Sequence, residues 1–570
     1  MNQLIRNKGF DSRRWGVMAA VIGVGLLISP RVTAADSNTL TDANIHNAVE
    51  NEILFDHAVM LDDIDIAVDQ GIVTLSGKVS NKLAKDRAVR LAETVRGVRS
   101  IVSRIKVEPP EFISGAELQK NISDALLMDP ATDSFEVTVR ADDKGVVTLD
   151  GKVQSWQERL LTEKVAAGVR GVREIQNNLA LDYKTTRPDS ALTPEIKQAL
   201  HWNVLVDDSL IDVEVNNGNA KLSGSVGSMA EKREARASAW VGGVKSVNDD
   251  ALRIVDWADN DMKRPPRKIS VTDEELRRAI NDAMLYDPRV NMFNVTPEVN
   301  HGIVTLRGKV DNLKAKRAAG EDARNTLGVL YVKNRIKVRS ESKLSDAELA
   351  RRIRNSLKRD PYIDRFDVSV SVVDGVAYLS GEVDSRFDRG QADDIASRTE
   401  GVKRVINRLT VDYVDAPLTY DPYVYDWYVY DYPWYDATTV TYQTKSDMQI
   451  RDDIESELWW SPFVDADDVT VDVDDGIATL TGTVDSWSES RSATENAYEG
   501  GAIRVNTELR LQSPAARGIR PDVRFMKKGC ANPSRIPFLN PAIRASREAL
   551  IVFTPKSLLR HPQARRLTGC

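Results

Sequence analysis

Cysteine is almost missing from this chain of 570 residues, which carries only Cys530 and Cys570. Neither a disulfide framework nor thiolate metal binding can therefore organise the residues before them, and no cysteine follows the N-terminal apolar stretch to accept a lipid. Histidine is nearly as scarce: His46, His57, His201, His301 and His561 form no H-E-x-x-H pattern. There is no Walker loop, no glycine fingerprint for a dinucleotide and no G-x-S-x-G nucleophile turn. The usual signatures of metal, nucleotide and hydrolase chemistry are thus lacking, and the chain reads as a non-enzymatic protein with no catalytic, cofactor-binding or metal-ligating residues to assign.

Long apolar runs are also lacking, with one exception. Arg6, Lys8, Arg13 and Arg14 precede an apolar stretch from Trp15 to Ile28, which ends before Pro30 and Val32-Thr33-Ala34-Ala35. A basic start, a short apolar middle and a small-residue end read as a signal peptide over residues 1–35, cleaved near Ala34 or Ala35. The stretch falls short of the roughly 20 apolar residues that span a bilayer. Arg13-Arg14 leaves the twin-arginine route open, though the following Trp15 and Gly16 favour general secretion. The expected location is the periplasm.

Charge is unevenly spread. From Ser513 onward twelve Lys or Arg face two Asp or Glu, a local +10, so the net −7 leaves −17 on the remainder. An acidic body repels phosphate polyanions, which excludes nucleic acid as a partner and requires any lipid contact to be local.

What the chain does have is repetition. One phrase of nine residues occurs six times: GIVTLSGKV at 71, GVVTLDGKV at 145, GNAKLSGSV at 218, GIVTLRGKV at 302, GVAYLSGEV at 375 and GIATLTGTV at 476. Most copies open with a helix signal. Ser114 with Glu117, Thr272 with Glu275, Ser345 with Glu348 and Ser446 with Gln449 have capping-box spacing, and Thr193-Pro194 predicts proline at a first helical position. Apolar residues then recur four apart, as in Leu118, Ile122 and Leu126, until Asp-Pro at 129, 287 and 360 or Ser-Pro at 461 ends the helix.

Alternation in Ile64, Ile66 and Val68, and in Phe366, Val368, Val370 and Val372, marks a first strand. The phrase itself is the second strand. Its opening glycines, Gly71, Gly145, Gly218, Gly302, Gly375 and Gly476, supply the hairpin turn. Its inner glycines, Gly77, Gly151, Gly224, Gly308, Gly381 and Gly482, are expected to let a helix approach the sheet. A second helix follows and stops at Gly97, Gly171, Gly243, Gly328, Gly401 or Gly501. A third strand, such as Ile101 to Val107, closes the unit with a polar inner position, Ser103, Asn177, Asn334, Asn407 or Thr507, read as a structural hydrogen bonder. The fold class is α+β: tandem αββαβ modules, each a three-stranded sheet with two helices on one face.

The helix with its Asp-Pro end, the strand phrase and the closing run Glu400-Gly401-Val402-Lys403-Arg404-Val405-Ile406-Asn407-Arg408-Leu409 together resemble the BON domain. Modules are expected at 40–108, 114–182, 190–255, 270–339, 344–412 and 446–511, copies three and six being the least regular. The resemblance implies a periplasmic protein that binds a phospholipid membrane or envelope surface, in osmotic or envelope stress protection. It brings no cofactor. It also admits a potassium-binding role, while the alternative from the modules themselves is a chaperone-like or scaffold protein that engages other envelope proteins through exposed sheet edges.

Three segments stand outside the repeat. Residues 256–269 read as a hinge linker, and 512–570 as a basic tail without periodicity. Residues 413–445 form a Tyr/Trp/Asp-rich linker in which Tyr425, Trp427, Tyr430, Tyr432, Trp434 and Tyr435 are candidates for interfacial contact, since such rings join an apolar body to a polar tip. Trp459 and Trp460 are placed to extend that surface. The acidic groups Asp62, Asp63, Asp65 and Asp465, Asp467, Asp468 are read as solvated strand edges.

Overall fold

The computed structural model describes residues 40–411 and 445–511, apart from 57, 60–62, 130, 133–135, 184–186, 256, 259–270, 291–292, 343 and 364–367. The expected signal peptide, the six candidate aromatics of the linker, most of the hinge, the tail with both cysteines, Asp62 and Phe366 lie outside the described residues.

In module 1, helix α1 (Asp42–Phe55) leads to strands β1 (Asp63–Asp69) and β2 (Ile72–Val79), helix α2 (Lys82–Glu93) and strand β3 (Ser100–Val107). β2 is central, antiparallel to β1 and parallel to β3. The same order recurs five times. The helix pairs are α3 (Gly115–Met128) and α4 (Trp156–Ala167), α5 (Asp189–Trp202) and α6 (Met229–Ser238), α7 (Asp273–Tyr286) and α8 (Leu313–Arg324), α9 (Asp346–Arg359) and α10 (Arg386–Arg398), and α11 (Asp447–Trp460) and α12 (Trp487–Glu499). Each module buries its own core. In module 2, Leu118, Ile122 and Leu126 of α3 meet Val147 and Leu149 of the central strand and Val165 and Ala166 of α4.

Local chemistry explains the helix ends. Ser114, Thr272, Ser345 and Ser446 all cap as their spacing predicts, with the reciprocal capping box complete at Thr272 and Ser446. At the other end, Asp129, Asp287 and Asp360 accept the N–H two residues on, which turns the chain away before it enters the first strand. One start differs from expectation. Helix α5 begins at Asp189, with Pro188 as its cap and Pro194 inside it. The reason is a bond that Asp189 must make elsewhere.

That bond recurs. Asp42, Asp189, Asp273, Asp346 and Asp447, each the first residue of a first helix, accept two backbone N–H groups from the tip of their own hairpin. At Asp346 these come from Asp374 at 2.8 Å and Gly375 at 3.0 Å. The tip residues Gln70, Asn217, His301, Asp374 and Asp475 all have positive φ, as does the glycine after each, so both amides point outward at the carboxylate. Module 2 has Gly115 there, and the bond reverses: Gly115 donates to Asp143 at 2.7 Å.

The inner glycine of the phrase needs a different explanation from the one its sequence predicts. A Cβ on Gly77 would meet the carbonyl oxygen of Asp63 at the start of β1, far inside contact distance, and Gly151, Gly224, Gly308 and Gly482 face the equivalent oxygen. The neighbouring strand, and not a helix, excludes the side chain; a φ of +117° at Gly77 excludes it again. The glycines from Gly97 to Gly401 also sit beyond the helix proper, in the turn that leads to the third strand, and only Gly501 follows its C-cap directly. Asn177, Asn334 and Asn407 hold that strand to the second helix, donating to the carbonyls of Arg159, Lys316 and Arg389. Thr507 does so through Thr494 at 3.0 Å, while Ser103 is exposed.

Two outcomes follow for stability. Asp346→Ala leaves two tip amides without their charged acceptor, so module 5 should lose about 2 kcal/mol, read by denaturant unfolding and by faster exchange of the Asp374 and Gly375 amides. Gly77→Ala meets both a clash and a positive φ, whereas Gly328→Ala meets nothing within 4 Å and only the backbone penalty. The first should cost more than about 3 kcal/mol and the second about 1 kcal/mol; equal losses would remove the strand explanation.

Candidate functional site

The predicted glycines lie in turns and strands and form no common cleft. The side chains that the structure does bring together come from different modules, and they begin with the residue that ends each first helix. Trp460, ending α11 of module 6, is buried in the core of module 1. Its carbonyl accepts the N–H of Arg96 at 3.3 Å. The carbonyl of Arg359, ending α9 of module 5, accepts Arg170 of module 2 at 2.8 Å, and that of Trp202, ending α5 of module 3, accepts Leu327 of module 4 at 3.1 Å. In each case the donor immediately precedes the glycine after a second helix. Module 1 thus pairs with 6, 2 with 5, and 3 with 4: the array folds back on itself.

Trp459 and Trp460 are therefore not an open extension of an aromatic surface. Trp459 lies under the Arg96 guanidinium at 5.0 Å and edge-on to Trp460 at 4.8 Å. The two rings are spent on the seam between the first and last modules because a buried indole with a cation on its neighbour's face is more stable there than in water.

The second helices meet between the modules, and their contacts are polar. Lys314 and Arg317 of α8 each lie 2.7 Å from Asp394 and Asp393 of α10. Gln157 of α4 donates to the Trp240 carbonyl at 3.0 Å, beneath a stacked pair formed by Trp156 and Trp240. Trp487 of α12 donates to the Leu330 carbonyl at 3.0 Å. Buried charge pairs add little net stability but penalise every wrong partner, so these contacts select which modules meet.

At the seam of modules 1 and 6, Glu52, Glu457 and Glu499 bring carboxylate oxygens within 4.8 Å of one another. Asp56, Asp453 and Glu495 add negative charge around them. The cations in reach are already engaged, Arg87 by Asp56 and Lys445 by Asp453 at 2.8 Å. Burial first, and repulsion from the neighbouring acids second, push all three carboxyls up, Glu457 to about 7. The acidic group Asp465, Asp467 and Asp468 does other work, since Asp465 caps a short turn by accepting the Asp467 amide at 3.3 Å.

The sheets turn their other faces outward. On the third strand of four modules several outward positions are cationic: Arg104 and Lys106 in module 1, Lys333, Arg335 and Lys337 in module 4, Arg404 and Arg408 in module 5, and Arg504 and Arg510 in module 6, where Glu508 lies between them. Exposed Ile72, Val102, Ile303 and Tyr331 share these faces in modules 1 and 4. Among the described residues no helix is long and apolar enough to cross a membrane.

Architecture and surfaces define a tandem array of small αββαβ modules with engaged helices and free sheet faces. The chain belongs to the BON domain family, whose model matches residues 41–109, 114–183, 188–256, 272–340, 345–413 and 446–512. It is similar to Osmotically-inducible protein Y of Escherichia coli K12, at 34% identity over 148 residues, 25% of this chain and 73% of that protein. It is also similar to Outer membrane lipoprotein DolP of Haemophilus influenzae, at 28% identity over 172 residues, 28% of this chain and 86% of that one. Among solved structures, the C-terminal domain of CdsD from the type III secretion system of Chlamydia trachomatis matches at 11% identity with a TM-score of 0.11, covering 38% of this chain and 100% of that domain.

The glutamate seam sets a pH dependence. Raised carboxyl pKa values mean that the closed seam holds more protons than the open one, so closing becomes less favourable as pH rises. The loss should begin near the ordinary value of 4.5, and the part due to Glu457 should level off above about 7. Protection of the Arg96 amide, its exchange rate relative to the intrinsic rate at each pH, should fall across that window, and Glu457→Gln should flatten the profile. An unchanged profile in that variant would remove Glu457 from the account.

Proposed function

We propose that this chain is a non-enzymatic periplasmic envelope protein that binds a phospholipid membrane or envelope surface through several modules at once, in osmotic or envelope stress. The observation that carries this reading is the cationic third strand on modules 1, 4, 5 and 6. A body that is acidic as a whole nevertheless presents Arg and Lys on free sheet faces, beside exposed apolar residues, where anionic headgroups can meet them. The printed names of the two relatives, one osmotically inducible and one an outer membrane lipoprotein, support the same setting. Several weak contacts held in one body raise avidity without any one being tight. The aromatics Tyr425, Trp427, Tyr430, Tyr432, Trp434 and Tyr435 form a second candidate contact, through ring burial at the headgroup level.

A second reading is a chaperone-like or scaffold role. Each described sheet is separate, and its outer strands pair with no other sheet, which leaves edges that an extended client could extend.

Liposome co-sedimentation of the full chain separates these. Neutral vesicles should bind weakly and anionic ones well. Reversing Arg104, Lys106, Lys333, Lys337, Arg404 and Arg408 to Glu should lower binding by at least about 100-fold, since each cation near an anionic surface contributes about 1 kcal/mol. Loss on deleting 413–442, with the charges intact, would move the contact to the aromatic segment. Failure of the wild-type chain to bind any vesicle would overturn the lipid reading in favour of the protein-client one.

A further inference from the structure

Between modules 3 and 4 lies a cavity of about 500 Å³ that no feature of the lipid reading uses. Its side walls are the two first helices, α5 and α7, and its floor is made by the ends of α6 and α8. This volume is in the range of sites that take small organic molecules.

Two properties of the lining narrow what could enter. The first is aromatic and apolar surface: Trp202, Trp240, Leu285 and Tyr286 all face the space, and Leu285 is 58% exposed despite being large and apolar. The second is charge. Glu195, Glu234, Asp282, Glu321 and Asp322 line the cavity with one cation, Arg289, while a second, Arg187, pairs with Glu195 from the edge. The Arg289 guanidinium is buried and engaged, 2.7 Å from Asp287 and 3.8 Å from Glu321, so it offers an incoming anion nothing. Burial first, and the Glu195 charge second, push the Asp282 carboxyl up against the lowering effect of Arg278.

The corresponding seam between modules 2 and 5 provides an internal comparison. Met128 and Arg359 end the first helices there, and the remaining space is about 110 Å³. Its lining, to which module 4 also contributes, sets Lys164, Arg289, Lys314, Arg352, Arg359 and Arg398 against Asp129, Asp360, Asp394 and Glu400, a positive balance. Two seams built by the same pairing thus differ in size and in the sign of their charge. Neither the fold nor the pairing imposes an acidic aromatic chamber; the residues of modules 3 and 4 do.

We propose that the cavity between modules 3 and 4 is a binding site for a small organic ammonium compound, its positive head held by the Asp282 carboxylate, with Glu195 beside it already engaged by Arg187 and the Tyr286 hydroxyl, and its carbon body lying against Trp202, Trp240 and Tyr286. Aromatic faces attract a desolvated ammonium group through their quadrupole, and the carboxylate supplies the counter-charge. A zwitterionic lipid headgroup carries the same ammonium, but its phosphate would enter beside the Asp282 carboxylate, with Arg187 and Arg289 already engaged by acids, and be repelled. The free amine is therefore the source to which the geometry commits.

Calorimetric titration of the full chain with 2-phenylethylammonium chloride tests this, with sodium chloride at equal ionic strength as the blank. Saturable binding of one equivalent is expected. Asp282→Asn should weaken it about tenfold, the effect of losing one charged partner. Ala283→Phe, which fills the space from α7 without touching a charge, should abolish it, and circular dichroism with an unchanged unfolding midpoint checks that both variants fold. Glycerophosphoethanolamine should bind at least tenfold more weakly than the amine. No saturable heat with the amine, equal affinity in both variants, or equal affinity for the phosphodiester would each overturn the assignment. Vesicle binding should be the same with and without the amine, so failure here and failure of the lipid reading are told apart.

Discussion

A hairpin tip in which two consecutive residues adopt positive φ aims two amides away from the sheet, where no strand can accept them. In five of the six modules one aspartate, placed by the N-cap at the start of the first helix, accepts both. The carboxylate also sits at the positive end of its helix, so one group satisfies the turn and the helix terminus together. It fixes where the first helix starts, and hence which of its residues reach the core and which residue stands at its far end. The seams between modules depend on that last residue. A shift of the helix start by one residue would turn Trp460 out of the core of module 1 and Trp202 away from module 4.

From that fixed point the assembly follows by simple packing. Each module buries one face of its sheet under two helices; the helices still carry polar outer surfaces, and these meet their counterparts in other modules through Lys314, Arg317, Asp393 and Asp394 or through Gln157 and Trp240. The free sheet faces are what remains for the outside. The proposed membrane contact is thereby assigned to strands and not to helices, and the acidic total charge is compatible with it because cations are gathered on the third strand of four modules.

Much of the fold was legible in residues taken singly. Ser114, Thr272, Ser345 and Ser446 declared their helices, and the six phrases declared the central strands, because caps and strand periodicity are local physics. The inner glycine was legible as a constraint but not in its cause: a missing Cβ looks alike whether helix or strand lies above it. The aspartate clamp was open to inspection, since Asp42, Asp189, Asp273, Asp346 and Asp447 each precede the opening glycine of their phrase by 29 residues. Its partner is a pair of backbone amides, which leave no trace in a sequence. The seam residues and the cavity were hidden for a further reason. Met128, Trp202, Tyr286, Arg359 and Trp460 share a position but no one residue type, and their partners sit in modules that no periodicity connects.

The folded-back pairing also bears on how such an array can change its length. A solenoid, whose repeats touch only their sequence neighbours, tolerates the gain or loss of a single unit. Here the first module covers Trp460 of the last, so removing either one strips an indole of its cover and leaves the other with an open seam. Duplication or deletion in the gene would preserve every seam only when it adds or removes matched copies from the two halves, which makes the even number of modules a consequence of packing and not an accident of history.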